Sequence, residues 1–122
     1  MFKFEKLSVW QKSVAFADLV YVATRSFPAD ERFGLTNQLR RAAVSISSNI
    51  AEGSARPDPD FARFLGFAAG SLYEVVTQAY IAKNQSFLPD DQFVRIHADA
   101  EEISRMLSGL RNSLEGLNRP SG

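Results

Sequence analysis

A chain of 122 residues, 45% hydrophobic and 23% charged, has the size and composition of one ordinary globular domain, which excludes wholesale disorder. Fourteen Lys and Arg balance fourteen Asp and Glu, which argues against a uniformly basic nucleic-acid coat and against a polyacidic chain. The lack of cysteine removes disulfides, thiolate metal sites and cysteine nucleophiles in one step.

The N-terminus has no long apolar leader, and no run of about 18 apolar residues occurs, so the expectation is a soluble cytoplasmic protein with no membrane partner. The neutral total conceals an imbalance. Residues 1–56 carry eight basic and five acidic side chains, or +3, and residues 57–122 carry six and nine, or −3.

The apolar period is helical almost throughout, and turn residues cut the chain into four pieces. A first helix is expected over about residues 8–26, with Ser8 as a plain N-cap candidate. Trp10, Val14, Ala17 and Tyr21 form one stripe, and Val9, Phe16, Leu19, Val20 and Ala23 a second. Pro28 ends it by removing a backbone donor. Phe2 and Phe4 precede the helix, where they are expected to clamp the N-terminal arm to the bundle.

The second helix is expected over about residues 32–53, its apolar face made by Leu35, Leu39, Ala42, Ala43, Ile46 and Ile50. The cluster SISSN, Ser45 to Asn49, consists of indifferent helix formers, and a break there is the main alternative. The Ile46–Ile50 step holds the helical phase. The string ARPDPD then makes the clearest loop.

Asp58 or Asp60 is expected to cap a third helix over about 59–85. Gly66 and Gly70 lie inside it, and each costs about 1 kcal/mol against alanine, which close backbone approach would offset. The fourth helix, about 90–117, carries Phe93, Ile96, Ala100, Ile103, Leu107, Leu110, Leu114 and Leu117 at alternating steps of three and four, an unbroken heptad seam. Residues 118–122 are expected to fray. Four such helices on short links predict an all-α, antiparallel up-down-up-down four-helix bundle over residues 1–122 as one domain. Apolar residues on more than one stripe suggest a second buried face, against another subunit.

Catalytic chemistry lacks the residues it needs. His97 is the single histidine, and Val94 stands three residues before it where a di-iron bundle needs glutamate. Asp99, Glu101 and Glu102 read as a solvated acidic face rather than a catalytic pair. Ser45, Ser47 and Ser48 have no base nearby in sequence. The chain is therefore expected to be no enzyme, with no catalytic residue, no metal and no cofactor.

The second helix is more informative. Gln38, Arg41, Ser45, Asn49 and Glu52 recur at threes and fours, a polar stripe whose middle is short amides and hydroxyls. Such groups satisfy one another where helices approach closely, so a polar seam between helices or subunits is favoured, with a solvated face and a ligand or nucleic-acid site as the other readings. Arginine outnumbers lysine ten to four, and arginine suits bidentate phosphate or carboxylate partners. Lys12, Arg40, Arg41, Arg56 and Arg63 are the candidate basic patch. The competing reading pairs them with Glu52, Asp58, Asp60 and Glu74.

Three strings, FEKLSVWQKSVAFADLVYVATRSFP, FGLTNQLRRAAVSISSNIAEGSAR and FARFLGFAAGSLYEVVTQAYIA, resemble the four helix bundle proteins of the 23S rRNA intervening-sequence family over about residues 3–88. The matching positions include Trp10, Gln11, Phe33, Gly34, Leu35, Gln38, Arg40, Arg41, Ala42, Ser45, Asn49, Ile50, Glu52, Gly53, Arg56, Phe64, Gly70, Ser71 and Glu74. Ser47 stands where the family commonly has proline, and Val76 where a second glutamate often follows the one at Glu74.

The resemblance implies a small bacterial protein, a homopentameric ring and no known enzymatic activity. A more distant resemblance, to the accessory protein of diversity-generating retroelements, implies contact with nucleic acid and with a polymerase. The resulting expectation is a non-enzymatic, ring-forming protein that meets RNA or DNA through basic surface of the first two helices. The competing class is a protein-binding scaffold whose motif serves oligomer assembly.

Overall fold

The structure, a computed structural model, describes residues 1–116. Among these residues there are four α-helices and no strand: α1 (Ser8–Thr24), α2 (Leu35–Ser54), α3 (Asp58–Asn84) and α4 (Asp90–Gly116). Short 3-10 turns occupy Lys3–Lys6 and Ala29–Glu31. Each helix packs on its neighbour in chain order and α1 closes on α4, with no diagonal pair in contact among the described residues, an all-α four-helix arrangement. Leu117 and residues 118–122 lie outside the described residues.

In α1, Val9, Phe16, Val20 and Ala23 of one stripe and Ala17 of the other are buried, Trp10, Val14 and Leu19 are half-buried, and Tyr21 is exposed. The two stripes thus form one broad apolar surface, centred on the first by contact with α2 and α4. Ser13 and Thr24 are buried with the core face because each donates its hydroxyl back to a carbonyl one turn earlier, Val9 O at 2.7 Å and Val20 O at 2.8 Å. The helix stops at Thr24, two residues short of the expected end, and Phe27 turns inward onto Phe87, ring centroids 5.9 Å apart. Phe4 packs on Trp10 at 5.0 Å, and Phe2 stacks on Phe4 while staying exposed, so only the inner ring anchors the arm.

No break interrupts α2 at SISSN, where Ser47 returns a hydrogen bond to Val44 O at 3.1 Å and Asn49 to Ser45 O at 2.8 Å. Its first turn is capped by the Glu31 carboxylate, which accepts from Leu35 N–H at 3.0 Å. The capping expectation for α3 is corrected. Pro57 occupies the N-cap and no side chain caps it, so Asp58 and Asp60 act as first-turn anions on the helix dipole. At its other end Ser86 adopts φ 64°, and Phe87 N–H bonds to Ala82 O at 2.9 Å with Ser86 N–H to Lys83 O at 3.0 Å, a Schellman motif.

The α4 seam is buried from Phe93 through Leu107 and only half-buried at Leu110 and Leu114. Lys12 on α1 bonds Glu102 at 2.9 Å and lies 3.6 Å from Asp99, joining α1 to α4. The hydrogen bond to Glu102 holds the lysine pKa above its ordinary value, opposed by burial and reinforced by the charges of Asp99 and Glu102.

Where α2 meets α3, a Cβ on Gly53 would lie 2.6 Å from Phe64 Cβ and 3.0 Å from Phe61 Cδ1. The glycines of α3 behave differently from one another: a Cβ at Gly66 would meet the Arg111 guanidinium at 3.3 Å, and one at Gly70 would meet nothing within 4 Å. The expected close approach therefore comes from a side chain at Gly66 and is missing at Gly70 within one chain.

Gly53→Ala is expected to destabilise by about 1–3 kcal/mol despite better helix propensity, because two helix backbones must separate; urea unfolding measures it. Ser86→Gly should stabilise by about 1 kcal/mol by relieving the left-handed conformation, again read from the unfolding midpoint. A folded-state lysine pKa that is raised stabilises while the group is charged in both states, and that contribution is lost as pH rises through the folded value. Lys12→Met should cost about 0.2–1 kcal/mol at neutral pH and flatten the fall in stability above about pH 10.4, as measured by thermal unfolding across an alkaline series.

Candidate functional site

The polar stripe of α2 lies along the α2–α3 seam. Ser71 of α3 donates to Ser45 Oγ at 2.9 Å, Asn49 Nδ2 donates to the same oxygen at 3.0 Å, and Gln78 Nε2 reaches Gln38 Oε1 at 3.4 Å. Ser45 is thus the point at which two helices share a hydroxyl network, and this part of the stripe joins helices within one chain. Farther out, Arg41 and Glu74 line the same groove of about 390 Å³, yet neither forms an ion pair among the described residues. The Gln78 Oε1 atom is buried there without a hydrogen bond. Glu52, the last member of the stripe, pairs with Arg56 at 3.6 Å.

The five candidate basic residues divide into two groups. Lys12 is held by Asp99 and Glu102. Arg56 lies 3.6 Å from both Glu52 and Asp60 and packs over the Phe64 ring at 4.7 Å. Arg63 pairs with Asp60 at 3.2 Å. Arg56 and Arg63 therefore come together, sharing Asp60 and the Phe64 ring at the α2–α3 loop, whereas Lys12 is held apart from them against α4, and all three have carboxylate partners. Asp58 and Glu74, the other carboxylates considered as partners, form no ion pair among the described residues.

Arg40 and Arg41 have no carboxylate partner among the described residues. Arg40 is nevertheless well fixed: its Nε donates to Thr24 Oγ1 at 2.9 Å and its guanidinium lies 4.6 Å from the Tyr21 ring centroid. Two arginines outside the sequence-based set join it. Arg25, at the end of α1, and Arg32, after the 3-10 turn, line with Arg40 a cavity of about 420 Å³ at the α1–α2 corner. Next to it a groove of about 530 Å³ runs between Tyr21, Arg40, Arg41 and Val44. Arg25 and Arg32 sit seven positions apart across Pro28, and no helical period relates them. The signal was their shared lack of an acidic residue three or four positions away on a common helix.

His97 bonds Glu101 through Nδ1 at 3.0 Å and meets Tyr80 edge-on, ring centroids 6.0 Å apart. Among the described residues no three His, Asp or Glu side chains group closely enough to hold a metal ion, and no helix is long and apolar enough to cross a membrane. What the arrangement offers chemically is fixed positive charge on α1–α2 and unpaired hydrogen-bonding groups along α2–α3.

No curated protein matches the chain. Its fold is similar to a crystal structure from Bacteroides thetaiotaomicron, a protein of unknown function in the S23 ribosomal protein family, with a TM-score of 0.77 and 24% identity over 85% of this chain and 95% of that one. The model of the 23S rRNA-intervening sequence proteins matches residues 5–109. With most of the four helices inside that match, the chain belongs to the 23S rRNA-intervening sequence protein family.

Proposed function

We propose that this protein is a non-catalytic, cytoplasmic, self-assembling helical bundle that binds the backbone of RNA or DNA through the basic surface of α1 and α2. One observation carries the reading: Arg25, Arg32, Arg40 and Arg41 gather on that surface without carboxylate partners among the described residues, while Lys12, Arg56 and Arg63 are paired elsewhere. Unpaired arginines suit phosphate, which accepts bidentate hydrogen bonds and releases counterions on binding.

The bundle is proposed to run up-down-up-down. Gly53 beside Phe64, Ser45 with Ser71 and Gln38 with Gln78 support opposed directions for α2 and α3, because one number falls as the other rises. Tyr80 with Phe93 and Gly66 beside Arg111 support the same for α3 and α4.

Assembly into a homopentameric ring is the second component, its number resting on the family resemblance. The outward face of α3 leaves Phe67 48%, Tyr73 62% and Ile81 46% exposed, with Gly70 open between them. A head-to-tail contact of that face with a different surface on the next copy closes a ring when the rotation divides a full turn. This exposed face also favours the scaffold reading, in which it holds a protein partner.

Fluorescence anisotropy with structured RNA across a salt series tests the nucleic-acid reading, alongside light scattering for subunit number. The wild type should bind at low salt with an affinity that falls steeply as salt rises, and Arg32→Glu with Arg41→Glu should weaken it at least about tenfold while leaving the oligomer intact. Affinity that is absent at low salt, or indifferent to salt, overturns the reading. A broken oligomer in the double variant supports the scaffold instead.

A further inference from the structure

The cavity at the α1–α2 corner has a construction that general basic surface does not require. Its lining includes Arg25, Arg32 and Arg40, with Thr24 and Thr36 between them and Phe27 and Pro28 on its apolar side. Thr36 is 8% exposed as a residue, but its hydroxyl oxygen still reaches solvent and has no hydrogen-bond partner among the described residues. A side chain fixed by burial with its hydroxyl left open is a ready donor to a ligand seated beside it. Thr24 differs, because its hydroxyl donates to Val20 O at 2.8 Å and accepts from Arg40 Nε at 2.9 Å.

That second bond occupies one of the five guanidinium N–H groups and leaves the terminal ones unbonded among the described residues. The Tyr21 ring stacked on Arg40 removes further freedom, so the guanidinium is held before any ligand arrives. Arg32 is similarly supported by Phe33, 5.2 Å from its ring centroid.

Three like charges around one cavity repel, and an anion between them relieves that repulsion. Two carboxylates, Asp30 and Glu31, belong to the 3-10 turn at this corner; neither lines the cavity nor pairs with an arginine among the described residues, and Glu31 is occupied as the cap of α2, accepting from Leu35 N–H.

We propose that this cavity binds a phosphate group, held by Arg25, Arg32 and Arg40 and receiving a hydrogen bond from the Thr36 hydroxyl. The three guanidiniums neutralise the anion, and the hydroxyl gains the partner it lacks. The phosphate is either a diester in a nucleic-acid backbone or a free or terminal monoester. The proposal draws on the nucleic-acid reading for the first source but not for the site itself.

The test titrates inorganic phosphate, a nucleoside 5′-monophosphate and an RNA lacking terminal phosphate into the full chain at low ionic strength, by calorimetry. Variants are Arg25→Gln with Arg32→Gln, both exposed, and Thr36→Val, with Arg105→Gln on α4 as a change outside the cavity and thermal unfolding as the check on folding. Saturable phosphate binding is expected, weakened about tenfold or more by the paired glutamines, about fivefold by Thr36→Val, and unaltered by Arg105→Gln.

Parallel loss of RNA affinity identifies the diester as the source. Loss confined to phosphate and the monophosphate identifies the monoester, and both results support the site. Absence of saturable phosphate binding overturns the proposal, as does binding unaltered by the paired glutamines. Weakening by the arginine changes with Thr36→Val indistinguishable from wild type also overturns it, reducing the effect to surface charge. RNA binding that persists in those cases leaves the broader nucleic-acid reading standing.

Discussion

The contact between α2 and α3, closest where Gly53 has no side chain, is the one on which much of the molecule depends. A Cβ there would lie 2.6 Å from Phe64 Cβ, so the two helices are tightly joined next to their loop. Farther along, Ser45 and Ser71 share a hydrogen bond at 2.9 Å with Asn49 folded back onto Ser45, and beyond them the longer Gln38 and Gln78 meet across a groove. Ala42, Ala43, Ile46 and Ile50 fill the inner side of α2. A helix seated this deeply carries its longer polar residues on its flanks, and Arg40 and Arg41 emerge toward α1.

Charge in this protein is sorted by contact. The basic excess of residues 1–56 is partly cancelled across the bundle, where Lys12 meets Asp99 and Glu102, and partly across the loop, where Arg56 meets Asp60. What survives is concentrated at the α1–α2 corner. Among the described residues Glu74 forms no ion pair, although it lines one groove with Arg41 and with the unsatisfied amide oxygen of Gln78. Each of these surfaces suits a different kind of partner, anions at the corner and hydrogen-bonding groups at the seam.

Much of the architecture was legible in the residues. The three-four spacing from Phe93 to Leu107 is a buried seam in α4, and Pro28 and the Pro57–Pro59 stretch stand where the first two helices end. The Ile46–Ile50 step correctly outweighed the weak propensities of SISSN, because burial of both isoleucines offsets several indifferent positions. Less legible were features made by meeting surfaces. Nothing local marks Tyr21 as the member of the α1 stripes that stays outside, and Ser86 occupies a left-handed position where glycine is the usual signal. The corner cavity was hidden for the same reason: Arg25, Arg32 and Arg40 belong to three consecutive elements and share no repeat.

Helix content, helix boundaries to within a few residues, the inner line of α4 and the family membership are written in the sequence alone, because turns of helix depend on neighbours three and four residues away. Which arginines remain free, which hydroxyl lacks a partner and which member of the α1 stripes stays outside were decided only by the tertiary structure. Charge pairing and burial depend on which helix faces which. Fourteen bases against fourteen acids give a neutral total, and only packing determines that Lys12 is neutralised while Arg40 is not.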